Sequence, residues 1–254
     1  MTSNEKWTKK HAAALVATVA LGFSAGACGG TDTPGSRQPP ATIAPVPPRT
    51  TTTIVDEDFA DNEFKWLNDP GSSLNDGRWS LSMPAGFSFE AFNGDGVIAK
   101  HPKAAQLAQS AVFHPEDFTA VGFTCHFAEQ HLGDLDQPGI IWYGLGIGPK
   151  GATILKKENT VEGDLKVLGS DPKVKLGTKP VQIQAWCWTE ENGSVTLDLL
   201  VDGKHVVHAI DAKNALPPGG FGFSGQAKSI LEADSSDKVF SVDDYKVDVG
   251  AKSS

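Results

Sequence analysis

The sequence predicts an all-β domain built from antiparallel strands, and three observations lead to this prediction. Apolar residues recur at every second position in short runs, as expected for strands with one buried face. Gly, Pro, Asn and Asp separate these runs and favour turns. Only residues 102–110 hint at a helix, through Ala104, Ala105 and Leu107. Many short strands with little helix indicate an antiparallel sandwich or a barrel.

The clearest strand signal is Val181–Thr189, in which Val181, Ile183 and Cys187 point toward a core. The opposite face carries Gln182, Gln184, Trp186 and Trp188. The dipeptide Asn192-Gly193 predicts a tight hairpin into the next run, because both residue types tolerate positive φ. The other predicted strands are 79–83, 86–92, 110–113, 118–128, 140–147, 152–156, 165–168, 195–201, 204–210, 220–224 and 239–249.

Four short motifs follow one another in residues 54–250. They are Asp58-Phe59, Val201-Asp202-Gly203-Lys204, Gly219-Gly220-Phe221-Gly222-Phe223 and Phe240-Ser241-Val242-Asp243-Asp244-Tyr245-Lys246-Val247. In this order they resemble the concanavalin A-like, or laminin-G-like, jelly roll. The spacing of Cys125 and Cys187 is similar to that in jelly-roll lipoproteins and receptor ectodomains of actinobacteria. The resemblance implies a two-sheet antiparallel β-sandwich whose first and last strands lie near each other. It implies no particular reaction, because the fold carries lectins, glycosidases and adhesion modules.

The N-terminus predicts export. Residues 1–27 contain a basic stretch, a short apolar run and the small-residue exit Ala25-Gly26-Ala27, as in a signal peptide. Cleavage after Ala27 would leave Cys28 first, where a bacterial lipoprotein carries lipid such as palmitate. Residues 28–53 are rich in Pro and Thr and predict a disordered linker, followed by one domain over 54–250. We therefore expect lipid anchoring at the extracytoplasmic face of the cell membrane. Plain secretion with an unmodified Cys28 is the alternative.

Net charge restricts the possible binding partners, and the cysteines indicate how the chain is cross-linked. The formal net charge of −9 disfavours binding to nucleic acid or to anionic headgroups, so attachment to the membrane should come from lipid on Cys28. Cys125 and Cys187 both lie on predicted core-directed faces, and a disulfide between neighbouring strands fits the oxidising compartment. Two buried free thiols are the alternative. A redox-active pair is disfavoured because there is no C-x-x-C motif.

The faces opposite the two cysteines predict a binding site for a glycan. Trp142, Trp186 and Trp188 would form a platform if their strands share a sheet, since flat aromatic rings cover the apolar faces of sugars. The polar residues predicted to bond sugar hydroxyls are Gln182, Gln184 and His126. The alternative is that the tryptophans pack beneath loops, because tryptophan is mostly buried.

A metal site is only weakly indicated. No cofactor is required by any motif, but Asp134 and Asp136 lie in a Gly/Pro loop and offer the oxygen ligands that calcium prefers. Solvated surface acids are the alternative. His205 and His208 are three residues apart, which puts them on opposite faces of a regular strand and disfavours joint metal binding.

The sequence is compatible with three functional hypotheses. The leading one is a lipid-anchored module that binds a glycan or another cell-envelope component, including an envelope protein, without catalysis. The second is a protein–protein module that assists a surface enzyme or receptor. The third is a divergent glycoside hydrolase, although no strand carries E-x-D-x-x-E. The motifs G-x-S-x-G and H-E-x-x-H are also missing from the sequence, so we expect no enzymatic activity.

Overall fold

The computed structural model of the protein describes residues 51–60, 71–83, 88–92, 105–131, 138–158, 165–228 and 238–250. These residues contain fourteen strands and, within the described ranges, no helix. The strands are β1 (Thr51–Glu57), β2 (Ser72–Asn75), β3 (Arg78–Met83), β4 (Ser88–Phe92), β5 (Gln106–His114), β6 (Phe118–His131), β7 (Pro138–Gly148), β8 (Gly151–Lys157), β9 (Leu165–Asp171), β10 (Val181–Thr189), β11 (Val195–Val201), β12 (Lys204–Asp211), β13 (Gly220–Ala227) and β14 (Lys238–Gly250).

The strands form two sheets, and every recorded pairing between them is antiparallel. The eight-stranded sheet has the order β12-β11-β10-β5-β14-β3-β2, and β1 also pairs with β14. The six-stranded sheet has the order β4-β13-β6-β7-β8-β9. The all-β, two-sheet antiparallel sandwich predicted from the sequence is therefore confirmed. The expected proximity of the first and last strands is the β1–β14 pairing.

The core lies between the sheets because alternate residues of each strand point inward. Its centre is aromatic: the rings of Phe223 and Tyr245 have centroids 4.4 Å apart, and the rings of Phe113 and Phe123 have centroids 5.2 Å apart. All four side chains are fully buried. At one border of the sandwich, Gly169 of β9 lies against β12, where an added Cβ would be 2.9 Å from Val207. A side chain at Gly169 would separate these two edge strands.

Three elements differ from the sequence prediction. Residues 106–110 belong to β5 and are not helical, because Leu107, Gln109 and Phe113 alternate into the core. Ala104 lies outside the described residues. Strand β1 begins at Thr51, three residues before the predicted domain start at residue 54. The short strand β2 was not predicted.

Two hairpins join β10, β11 and β12, and their turns differ. Asp202 and Gly203 both have positive φ, 48° and 72°, as a two-residue turn between β11 and β12 requires. Between β10 and β11 only Gly193 has positive φ, 81°. There the Asn192 carboxamide oxygen accepts a hydrogen bond from the Ser194 backbone amide at 3.0 Å. This hairpin therefore has a longer loop than the Asn-Gly dipeptide predicted.

The predicted disulfide is present and joins Cys125 of β6 to Cys187 of β10, with the Cα atoms 6.5 Å apart. It does not join neighbouring strands: β6 belongs to the six-stranded sheet and β10 to the eight-stranded sheet. The bond therefore crosses the core and ties the two layers together. With a sequence separation of 62 between the cysteines, it stabilises the fold by about 4 kcal/mol in the chain-entropy account.

Candidate functional site

Most of the residues predicted to bind a glycan meet on one surface of the eight-stranded sheet. We call it the tryptophan face: the side of β10, β11 and β12 that points away from the core. Its β10 residues are Gln182, Gln184, Trp186 and Trp188. The core side of the same strand carries Ile183, Ala185 and Cys187, all of which are buried. Four of the six predicted ligand-binding residues therefore share this face.

The two tryptophans of this face lie side by side. The ring centroids of Trp186 and Trp188 are 6.2 Å apart, and the ring planes are tilted by 34°. Trp186 is partly exposed, whereas Trp188 is only 7% exposed. Gln184, one position along the same face from Trp186, is also partly exposed. Trp186 is thus the ring that a ligand can reach, with Trp188 packed beside it.

Polar residues continue the face onto the neighbouring strands. Strand register aligns Trp186 with Asp198 of β11, and Asp198 with His208 of β12. The aligned residues of adjacent strands lie side by side on one face. Asp198 is 2% exposed, and its Oδ1 atom is 2.7 Å from Nδ1 of His208. A carboxylate and an imidazole thus lie beside the tryptophan pair.

A β-bulge corrects the sequence-based interpretation of the two histidines on β12. The register of β11 and β12 shifts so that Leu199 pairs with Val207 while Leu200 pairs with His205. The extra residue brings His205 to the same face as His208, whereas a regular strand would separate them. The Nε2 atom of His205 is 2.8 Å from Oδ1 of Asp198. Both histidines therefore contact one carboxylate oxygen, a grouping that the spacing in the sequence did not reveal.

Trp142 lies apart from the other two tryptophans. It belongs to β7 of the six-stranded sheet, so the condition that all three share a sheet is not met. Its indole covers Gly144, where an added Cβ would be 2.6 Å from the ring. The side chain is only 7% exposed, and Nε1 has no hydrogen-bond partner among the described residues. Oγ1 of Thr124, on the adjacent strand β6, is likewise buried without a described partner.

His126 is directed into the core and is not on the polar face predicted for it. Its φ of 52° falls in the bulge between Cys125 and Ala128, which breaks the alternation of β6. The imidazole is fully buried, and its Nδ1 atom is 3.1 Å from the Leu216 carbonyl oxygen. Burial lowers the pKa of His126 below its ordinary value, and the hydrogen bond to Leu216 only partly opposes this shift.

A buried polar network lies next to His126 and links the two sheets. The Tyr143 hydroxyl of β7 donates a hydrogen bond of 2.7 Å to Asp211 of β12 and accepts one of 2.8 Å from the Leu216 backbone amide. Lys156 of β8 is fully buried, with Nζ 2.7 Å from the same Asp211 oxygen. Burial raises the pKa of Tyr143 well above its ordinary value, and the adjacent carboxylate raises it further.

Neighbouring groups stabilise the protonated, charged form of Lys156. Nζ also contacts the Glu158 carboxylate and donates a hydrogen bond of 2.7 Å to the Asn214 carbonyl. Burial alone would lower the pKa of Lys156, but the bonds to Asp211 and Glu158 outweigh it and raise the pKa. The network is a structural link between the layers: Asp211 is buried on the inward side of β12, opposite the side that carries His208.

Some predicted residues lie outside the described part of the chain. These are Cys28, with the signal peptide and linker up to residue 50, and the acidic pair Asp134 and Asp136. Among the described residues, no helix is long and apolar enough to cross a membrane.

The order of the strands within the two sheets and the pairing of the terminal strands define a concanavalin A-like jelly-roll β-sandwich. No family model matches the chain, and no curated protein matches its sequence. Among solved structures, the chain is similar to basic winged bean lectin with Tn-antigen. The two share 11% identity over 80% of this chain and 100% of the lectin, with a TM-score of 0.50. At this identity the likeness shows the fold alone.

Two further solved structures have lower scores. The potassium-bound carbohydrate recognition domain of Emp46p matches with 13% identity over 77% of this chain and 95% of that domain, with a TM-score of 0.47. The alginate lyase Aly36B, as a variant in complex with alginate tetrasaccharide, matches with 10% identity over 78% of this chain and 96% of the lyase, with a TM-score of 0.44.

Proposed function

We propose that this protein is a lipid-anchored extracytoplasmic module that binds a neutral glycan of the cell envelope, without catalysis, through the tryptophan face. The observation that carries the proposal is the tilted pair of Trp186 and Trp188 beside Gln184 on an outward-facing sheet surface. An accessible indole covers the apolar face of a sugar ring, while an amide bonds its hydroxyl groups. The likeness in fold to basic winged bean lectin, solved with Tn-antigen, agrees with this proposal.

The charge of the protein favours a neutral ligand over an acidic one. The chain carries a formal net charge of −9 at pH 7. A polysaccharide of uronic acids would be repelled by this field, whereas an uncharged polysaccharide would not. The anchor would be lipid on Cys28 after removal of residues 1–27, with residues 28–50 as the tether that carries the sandwich away from the membrane.

A role as a protein–protein interaction module has less support than glycan binding. The large apolar residues exposed in the described part of the chain are Val167 of β9, Ile210 of β12 and Val239 of β14, on three different strands. A docking surface for a protein would need a contiguous apolar patch of several hundred Å².

The test is a titration of the purified full chain with neutral and acidic cell-wall polysaccharides, followed by tryptophan fluorescence. We expect a saturable change with a neutral polysaccharide. Trp186→Ala should weaken binding at least about tenfold, since a contacting tryptophan typically dominates a binding surface. Trp142→Phe is the matched control in the other sheet and should leave the affinity unchanged.

Either of two results would overturn this proposal. One is the lack of a saturable response to any polysaccharide. The other is a response that survives Trp186→Ala but is lost in Trp142→Phe, which would move the binding site to the six-stranded sheet. Mass spectrometry of the mature N-terminus tests the anchor separately, because an unmodified Cys28 would mean a secreted protein.

A further inference from the structure

Three metal-ligating side chains meet at one border of the tryptophan face. They are Asp198 of β11 and His205 and His208 of β12, and one ligand atom of each lies within 4.8 Å of the others. The glycan proposal does not need the two histidines. Their grouping depends on the β-bulge in β12, which supplies the one extra residue that puts both on one face.

The geometry of this cluster is convergent. Nε2 of His205 and Nδ1 of His208 lie 2.8 Å and 2.7 Å from the same Oδ1 atom of Asp198. The imidazole rings are close to perpendicular, at 86°, with centroids 6.2 Å apart. The three ligand atoms therefore converge on one small region of the face, as the ligands of a single cation must.

The burial of the three side chains is graded from the sheet toward the solvent. The side chain of Asp198 is 2% exposed, that of His205 is 12% exposed and that of His208 is 43% exposed. The carboxylate is thus fixed in the sheet, while the outermost imidazole leaves the cluster open on one side. A cation can enter from that side, and a water molecule can occupy the remaining coordination position.

We propose that Asp198, His205 and His208 bind one zinc ion. Two imidazoles and one carboxylate are a donor set that suits zinc and related late first-row metals. Calcium prefers six to eight oxygen ligands, so this set does not suit it. Three protein ligands with an open fourth position are the arrangement of zinc sites that exchange a water or a ligand.

The present geometry needs only a small adjustment to hold the ion. In a tetrahedral zinc site the ligand atoms are about 3.4 Å apart, given zinc–ligand distances of about 2.1 Å. The N–O distances of 2.7 Å and 2.8 Å would therefore widen by about 0.6–0.7 Å. His205 would bind through Nε2 and His208 through Nδ1, with the imidazole proton of each carried on its other nitrogen.

The experiment uses the full chain with Cys28→Ser, which removes the one thiol that the disulfide does not engage. The protein is purified without a polyhistidine tag and freed of metal with a chelator. Zinc affinity is then measured by competition with a chromophoric chelator. We expect one zinc ion per chain bound at this cluster. His208→Ala should lower the affinity at least tenfold, and so should His205→Gln.

The matched control is Ile210→Ala, an exposed outward-facing position two residues beyond His208 on the same strand. It should change the affinity less than twofold. Asp198 is buried, so Asp198→Ala risks a folding defect. Asp198→Asn keeps the shape, and circular dichroism checks that the variant is folded.

Copper serves as a spectroscopic probe of the same ligands. Electron paramagnetic resonance of the Cu²⁺-loaded chain should show coupling to two imidazole nitrogens, and His208→Ala should remove one. The proposal is overturned if wild type and His208→Ala bind zinc equally, which would mean that the three residues form a hydrogen-bonded cluster only. A copper signal without nitrogen coupling would overturn it too. Neither result depends on whether the protein binds a glycan.

Discussion

Replacing Lys156 by methionine should destabilise the sandwich strongly. The Lys156 ammonium group is fully buried and neutralises Asp211, which is 4% exposed. In Lys156→Met the Asp211 carboxylate keeps the Tyr143 hydroxyl as a donor but loses its cation. Leaving one partner of a buried ion pair uncompensated typically costs about 3–5 kcal/mol. For a domain of this size that corresponds to a fall in melting temperature of roughly 6–20 °C.

A double variant separates the cost of the uncompensated charge from the cost of the lost packing. Lys156→Met/Asp211→Asn removes both charges while an amide oxygen remains to accept the Tyr143 hydroxyl. We therefore expect the double variant to be more stable than Lys156→Met alone, because no uncompensated carboxylate stays buried.

The contribution of Lys156 to stability should also fall at alkaline pH. Its pKa is raised in the folded state, so its contribution is complete below the unfolded pKa of about 10.4 and is lost as the pH rises through the folded value. The difference in unfolding free energy between wild type and Lys156→Met should therefore be constant between pH 7 and pH 9. It should shrink in more alkaline solution.

The assay is urea unfolding followed by tryptophan fluorescence, with linear extrapolation to water. Lys166→Met is the matched control: it is the same substitution at an exposed lysine of β9, paired in register with Lys156. It should change the unfolding free energy by no more than about 0.5 kcal/mol. If Lys156→Met is also within 1 kcal/mol of wild type, or if the double variant is no more stable than it, the reasoning about this network is wrong.

Three further predictions concern the disulfide, the buried His126 and the six-stranded sheet. Replacing both disulfide cysteines by alanine should lower the unfolding free energy by about 4 kcal/mol in the same urea assay. Because burial lowers the pKa of His126, the wild type should lose stability below about pH 6.5, by up to 1.36 kcal/mol per pH unit for one proton, and His126→Gln should flatten this slope. Gly144→Ala should displace the Trp142 indole and destabilise the fold by about 1–3 kcal/mol, whereas Gly148→Ala, where an added Cβ makes an ordinary 3.6 Å contact, should be close to neutral.

The strands with strong alternation were predictable from the sequence. The bounds of Val181–Thr189 and Val195–Val201 agree with the prediction because inward residues alternate strictly and Asn192-Gly193 separates the runs. Residues 106–110 could not be assigned from the sequence, since a few Ala and Leu residues fit a helix as well as a strand until the partner strands are known.

The candidate site was less predictable, for two physical reasons. Alternation tells which residues of a strand face the core but not which sheet the strand joins, so Trp142 could not be separated from Trp186. A β-bulge inserts one extra residue into a strand, and no residue pattern in this sequence signals where it occurs. It brought His205 and His208 together and turned His126 into the core, against the spacing in both cases.

The most direct test of the glycan proposal is a heteronuclear NMR titration that observes the tryptophan indole N–H signals. The chain has six tryptophans, and assigned signals report each ring separately. On addition of a neutral cell-wall polysaccharide, the signals of Trp186 and Trp188 should shift together and saturate, while those of Trp79 and Trp142 stay in place. A saturable shift of Trp142 alone, or no shift at Trp186 with any polysaccharide, would contradict glycan binding at the tryptophan face.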